Sequence, residues 1–203
     1  MKEKTIKIKE HSATPYDDVY RTLLNDCPGL IIPVVNEVFG KKHKIDEEIL
    51  VFNNELFLTR QDGEQLERIT DSNFMIEECR YHIECQSVVD GSMLIRIFEY
   101  DSQIALQDST MELHELQVNY PNTAILYLRH NKNTPDEYKV SINVPDGGCS
   151  YQVPIMKVQN YTVDEIFEKK LYFLIPYHIF VFEKHFQLYE LDEESRKELH
   201  STY

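Results

Sequence analysis

In the segment 71–86 of this 203-residue chain, DSNFMIEECRYHIECQ, the residues after Glu77-Glu78 alternate apolar and polar side chains, while those before it run from polar to apolar. Successive side chains of a strand point to opposite faces, so such alternation assigns one face of a sheet to the core and fixes strand register. A turn centred on Glu77-Glu78 predicts a hairpin with Ile76 opposite Cys79, Phe74 opposite Tyr81 and Asp71 opposite Glu84. Phe74, Ile76, Tyr81, Ile83 and Cys85 then share an apolar face, and Asp71, Asn73, His82, Glu84 and Gln86 share the other. Glu77-Glu78 is not a preferred tight-turn pair; a longer loop with the same centre would leave this register intact.

The flanking sequence supplies helices and further strands. Thr14 is placed to cap a helix that has Pro15 at its first position and runs to about Asn25. Pro28 opens a second helix, in which Leu30, Ile31, Val34, Val35 and Val38 recur at helical spacing before Gly40 ends it. Glu37 lies at the edge of that apolar stripe, placed to point along a groove. Short β-like runs fill residues 45–58, and Gln61-Asp62-Gly63-Glu64 reads as a turn. Ser92 is placed to cap a helix through Met93, Leu94, Ile97, Phe98 and Ala105. Strands are expected over residues 124–128, 138–144 and 151–158. Thr162-Val163-Asp164-Glu165 is a capping box for a helix through Phe167, Leu171 and Leu174, ended by Pro176. At ~150 residues per domain, this order predicts one mixed α/β domain over residues 14–190. Residues 1–13 read as a basic tail or edge strand, and residues 191–203 as a polar tail.

Composition narrows the function classes. The longest apolar run, residues 171–182, contains Pro176 and His178 and falls short of the ~18–20 residues that a membrane-spanning helix needs. The first nine residues carry no apolar core of a signal peptide, so a cytoplasmic location is expected. Cys27, Cys79, Cys85 and Cys149 form no C-x-x-C pair, which favours isolated thiols over a disulfide or zinc scaffold. The net charge is −14, and residues 45–118 alone hold 17 acids against 4 bases. Such a chain is a poor nonspecific polyanion binder, because each phosphate contact needs a lysine or arginine. If DNA is the partner, it meets either Lys2, Lys4, Lys7 and Lys9 or the run Lys41, Lys42 and Lys44. Otherwise both stretches are a solvated tail and a solvated loop.

Two carboxylates directly across a ladder have Cβ atoms ~4.5–5.5 Å apart and repel. A hard divalent cation such as Mg²⁺, which takes one or two carboxylates together with waters and phosphate oxygens, would relieve that repulsion. Gln86, two residues beyond Glu84, points the same way and could hold a water. The same pattern also describes an ordinary sheet with its polar face in water, on which His82 is a surface or hydrogen-bonded histidine.

The wider sequence extends this motif. Asp71-x₁₂-Glu84-x-Gln86 is followed by Asp90-Gly91-Ser92-Met93, Arg96-Ile97-Phe98-Glu99-Tyr100 and Tyr120-Pro121-Asn122-Thr123-Ala124. With Leu30-Ile31-Ile32-Pro33 before it and Val158-Gln159-Asn160-Tyr161-Thr162 after it, the set resembles the PD-(D/E)xK nuclease-family transposases, close to the recombination-promoting nucleases. The resemblance runs from about Pro15 to Pro176. It implies a restriction-endonuclease-like core, a central mixed β-sheet flanked by helices, and Mg²⁺- or Mn²⁺-dependent hydrolysis of DNA phosphodiesters. It makes Asp71 and Glu84 the metal ligands, together with the Cys85 backbone carbonyl, and puts Gln86 where the wider superfamily has lysine. Glu37 corresponds to an acid from the first helix, while His82, Arg96 and Tyr100 support the site or reach phosphate. A homodimer would bring further cations to the substrate. The competing reading is a catalytically inactive remnant of a mobile-element nuclease that serves as an interaction module. On a solvated polar face, Asp71→Ala and Glu84→Ala are expected to abolish cleavage and leave the fold intact.

Overall fold

Proline and glycine set the limits of the first two helices in the computed structural model, which describes residues 15–52, 55–59, 65–69 and 72–183. Helix α1 (Pro15–Asp26) starts on Pro15, carries Asp17 and Asp18 at its positive end, and buries Tyr20 and Leu24. The expected second helix divides into a 3₁₀ turn (Pro28–Ile31) and helix α2 (Ile32–Phe39). Pro33 has no N–H to offer the Gly29 carbonyl, which accepts from Ile32 in the tighter pattern instead. Gly40, at φ 62°, turns left-handed and closes α2 by donating its N–H to the Asn36 carbonyl.

The strands are β1 (Ile49–Val51), β2 (Glu55–Thr59), β3 (Gln65–Ile69), β4 (Phe74–Ile76) and β5 (Cys79–Gln86). Helix α3 (Met93–Gln107) follows, then β6 (Thr110–Met111), β7 (Leu116–Gln117), β8 (Asn122–Tyr127), β9 (Glu137–Val144) and β10 (Gly147–Lys157). Six of these strands form one mixed sheet in the order β1-β4-β5-β8-β10-β9, while β2 pairs with β3 and β6 with β7 as separate hairpins. Strands β5 and β8 run parallel, so a crossover must carry the chain between them, and α3 lies on that connection. The turn Gln61-Asp62-Gly63-Glu64 and the cap residue Thr14 lie outside the described residues.

Helices cover both sheet faces. On one, Ile31, Ile32, Val34 and Val35 join Phe74, Ile76, Tyr81, Ile83 and Cys85 in the main core. On the other, Met93 and Ile97 of α3 pack against Ile125, Tyr127 and Val153. A central strand covered on both sides normally reads as a continuous apolar run. Strand β5 reads CRYHIECQ, yet seven of its eight residues are buried, so its polar half must be satisfied inside the protein.

The turn keeps its expected centre, and two local expectations are corrected. The β4–β5 turn is the tight two-residue one, with Glu77 left-handed at φ 54°. Ser92 stands at the start of α3 but donates its hydroxyl to Asp90 Oδ2 at 2.7 Å rather than capping the helix with its side chain. Helix α4 (Val163–Glu168) keeps its Thr162/Glu165 capping box but does not continue through Leu171 and Leu174. Lys170 turns left-handed at φ 58°, and the Leu171 N–H returns to the Ile166 carbonyl, a Schellman-type ending without glycine. A 3₁₀ stretch (Tyr172–Tyr177) containing Pro176 follows.

Residues on the main-core face of β5 carry the packing. Ile83→Ala, at a position 1 % exposed, is expected to lower the unfolding free energy by ~2–5 kcal/mol. Ile95→Ala on the outer side of α3 should stay within about 1 kcal/mol. Urea denaturation of the two variants checks both.

Candidate functional site

The hairpin register is the one that the alternation predicts: Ile76 pairs with Cys79, Met75 with Arg80 and Phe74 with Tyr81. Beyond the ladder, the Ser72 side chain takes its place: its hydroxyl donates to the Ile83 carbonyl at 2.8 Å and accepts from the Ile83 N–H at 2.9 Å. Ile83 and Cys85 therefore enter the main core, while Arg80, His82, Glu84 and Gln86 project beneath α3. The polar face expected in water is instead a buried layer: His82 is 0 % exposed, Glu84 2 % and Gln86 4 %.

Buried charges are costly unless paired, and α3 supplies the partners. His82 lies between two carboxylates, with Nδ1 2.8 Å from Asp101 Oδ1 and Nε2 3.0 Å from Glu84 Oε1. Ionised carboxylates only accept hydrogen bonds, so both ring nitrogens donate and His82 is an imidazolium. Burial pushes its pKa down, but the hydrogen bonds and charges of Asp101 and Glu84 outweigh that and raise it to about 10. Asp101 also accepts from Thr123 Oγ1 at 2.7 Å and from the Tyr151 hydroxyl at 2.8 Å. Burial and the Asp101 charge both raise the Tyr151 pKa, keeping it a neutral donor.

The other oxygen of Glu84 faces a second cation. Arg96 Nη2 donates to Glu84 Oε2 at 3.2 Å, and its Nη1 lies 3.9 Å from Asp90 Oδ2. The Nε–H of Arg96 is buried and has no hydrogen-bond partner among the described residues. Gln86 reaches the same Glu84 oxygen with a long 3.5 Å contact, and Tyr100 sets its ring edge-on to His82 at 5.8 Å. One turn nearer the hairpin end, Arg80 donates to Asn73 at 2.6 Å and to Asp108 at 2.7 Å.

Of the residues singled out from the sequence, Glu84, Gln86, His82, Arg96 and Tyr100 come together here. Cys85 puts its side chain in the main core, so any part it takes at Glu84 is through its backbone. Asp71 and the basic residues Lys2, Lys4, Lys7 and Lys9 lie outside the described residues. Glu37 does not join the group. It sits on α2, the helix covering the opposite sheet face, where it accepts from Lys169 Nζ at 2.5 Å and from the Tyr161 hydroxyl at 3.2 Å. Lys41, Lys42 and Lys44 belong to the loop after α2, which meets β5 through His43 Nε2, 2.7 Å from the Tyr81 hydroxyl. Tyr81 faces the main core, so this loop docks on the side of β5 away from Glu84.

Three candidate metal ligands also gather at that loop. His43 Nδ1 lies 3.2 Å from Glu47 Oε2 and 3.3 Å from Glu77 Oε2. His43 is hydrogen-bonded to Glu47 and Tyr81, and its ion-pair contact with Glu77 brings the left-handed turn against the loop.

Asp101, Thr123 and Tyr151 escaped the sequence reading. The available signal was in α3, whose buried positions Met93, Arg96, Ile97, Tyr100, Asp101, Ile104 and Ala105 form one helical stripe. Two opposite charges inside an apolar stripe mark a helix that covers charged partners. No family model, curated protein or solved structure matches this chain, and no helix among the described residues is long and apolar enough to cross a membrane.

The network makes two predictions. Glu84→Ala strands two buried cations, so it is expected to cost ~3–5 kcal/mol of stability rather than leave the fold untouched; urea denaturation measures this. The folded His82 pKa of about 10 stands above the unfolded value of 6.5. Its stabilisation is therefore complete below about pH 6.5 and is lost as pH rises through about 10. The urea midpoint should fall between pH 7 and pH 10 more steeply in the wild type than in His82→Gln.

Proposed function

We propose that the chain is a metal-dependent DNA endonuclease of the PD-(D/E)xK type, with a restriction-endonuclease-like core and its site on the Glu84 face of β5. The observation that supports this reading is the hairpin register, held from Ile76 opposite Cys79 to Phe74 opposite Tyr81. At that register the D-x₁₂-E-x-Q motif expects Asp71, which lies outside the described residues, opposite Glu84. The six-stranded mixed sheet with helices on both faces is consistent with the implied core.

Carboxylate and backbone carbonyl oxygens are the ligands that Mg²⁺ or Mn²⁺ prefers. Asp71, Glu84 and the Cys85 carbonyl would hold it. When bound, such an ion lowers the pKa of a coordinated water and offsets charge on the phosphate. The chain's own residues then have separate parts. His82 holds Glu84 turned in one direction. Gln86 orients the attacking water by hydrogen bonding. Arg96 supplies the buried positive charge that glutamine, in the usual lysine position, does not. Its unpartnered Nε–H is a donor suited to a phosphate oxygen.

One observation favours the inactive interaction module instead. Glu84 and Asp101 are already balanced by His82 and Arg96, so the network needs no metal to be neutral. Nicking of supercoiled plasmid at low salt with Mg²⁺ or Mn²⁺ separates the two. The comparison variant is Glu84→Gln, which keeps the side-chain shape where alanine would not. Cleavage by the wild type and not by Glu84→Gln is the expected result. Equal cleavage by both, or none by either, would overturn the nuclease reading.

A further inference from the structure

Asp101 has no access to solvent and lies outside the Asp71/Glu84/Gln86 motif, yet its carboxylate collects three short hydrogen bonds. They come from His82 on β5, Thr123 on β8 and Tyr151 on β10, so three adjacent strands of the sheet are tied to one point on α3. A buried carboxylate with three donors is a fixed acceptor, and its position dictates where the His82 ring lies. The imidazole is planar and its two nitrogens diverge on opposite sides. Anchoring Nδ1 on Asp101 therefore aims Nε2 at one place, which is occupied by Glu84 Oε1 at 3.0 Å. That contact in turn decides which oxygen of Glu84 is engaged within the sheet and which is presented toward Arg96 and Gln86.

We infer that Asp101 is a positioning residue for Glu84, acting through His82 to set which carboxylate oxygen faces the ligand side of the site. The inference deepens the nuclease reading and rests on it for the identity of that ligand. Carboxylates that ligate metals are generally held by such outer hydrogen bonds, whose removal typically lowers metal affinity by ~10–100-fold. Thr123 and Tyr151 fix Asp101 rather than Glu84, so their effect is one bond further removed.

The test uses Asp101→Asn, which keeps the side-chain shape and can retain hydrogen bonds to Thr123 and Tyr151 while losing the charge. Two readouts are taken on the full chain: Mn²⁺ affinity by titration calorimetry, and the two imidazole N–H signals of His82 in ¹⁵N-labelled protein without metal. Asp101→Asn is expected to weaken Mn²⁺ binding by ~10–100-fold and to displace the Nε2–H signal, the proton that faces Glu84. Ile97→Val, a packing change under the same helix, should leave Mn²⁺ affinity as in the wild type. A folded Asp101→Asn with wild-type affinity and an unmoved Nε2–H signal would overturn the inference, while wild-type Mn²⁺ binding would leave the nuclease reading in place. Conversely, a wild type that binds no Mn²⁺ but whose Nε2–H signal moves in Asp101→Asn would overturn the nuclease reading and uphold the hold of Asp101 on Glu84. If Asp101→Asn does not fold, Tyr151→Phe removes one of the three bonds at a half-buried position and is read on the same two scales, with an unchanged result again overturning the inference.

Discussion

The imidazolium of His82, held between Asp101 and Glu84, is the interaction on which the interior of this protein depends. A parallel pairing between β5 and β8 obliges the chain to cross over the sheet, and α3 lies on that crossing. Covering β5 on both faces would be prohibitive for His82, Glu84 and Gln86 if α3 were apolar throughout, because each would lose water without replacement. By carrying Arg96 and Asp101 within its buried stripe, α3 converts the same burial into paired contacts. Helix and strand are thereby matched in register: sliding α3 along the sheet would bring like charges together, Asp101 toward Glu84 and Arg96 toward His82.

The parts of this arrangement differ in how far they can be read from sequence. The hairpin register is legible because the alternating arm 79–86, folded back about Glu77-Glu78, brings Phe74 and Ile76 onto the face of Tyr81 and Ile83, and a slip of a single residue would turn these side chains out of the core. The turn itself is less legible: Glu77 takes a left-handed conformation that its side chain does not favour, and the contact with His43, distant in sequence, accompanies it. Helix α4 shows the same limit. Its start is written in four consecutive residues, whereas its end depends on Lys170 adopting a glycine-like conformation so that Leu171 can enter the core. Termination by a non-glycine residue is a tertiary outcome with no local signal.

Burial of the polar face is the largest gap between sequence and structure, and its cause is physical. Alternation reports that the two faces of a strand differ in polarity; it does not report which of them meets water. That information lies in α3, where Arg96 and Asp101 share a stripe with Met93, Ile97 and Ile104. Taken singly, the strand pattern describes a half-exposed sheet and the helix pattern an amphipathic helix with stray charges. Only together do they describe two charged surfaces facing one another. Glu37 illustrates the converse: a carboxylate at the edge of an apolar stripe, directed by its helix to the opposite face, where Lys169 and Tyr161 receive it.

A charge-balanced buried network can be replaced by apolar residues without loss of stability in many proteins, so stability alone does not account for placing four ionised groups under α3. What such a network adds is direction. Each member has its geometry set by a neighbour on a different element: Asp101 by β8 and β10, His82 by Asp101, and Glu84 by His82 and Arg96. The one buried donor of Arg96 that this chain of contacts leaves unused, its Nε–H, lies at the Glu84 end. An interior built only for neutrality would close there as it does at Asp101, where three donors converge on one carboxylate. The two ends therefore differ: three donors converge on Asp101, while beside Glu84 a buried Arg96 donor has no partner among the described residues.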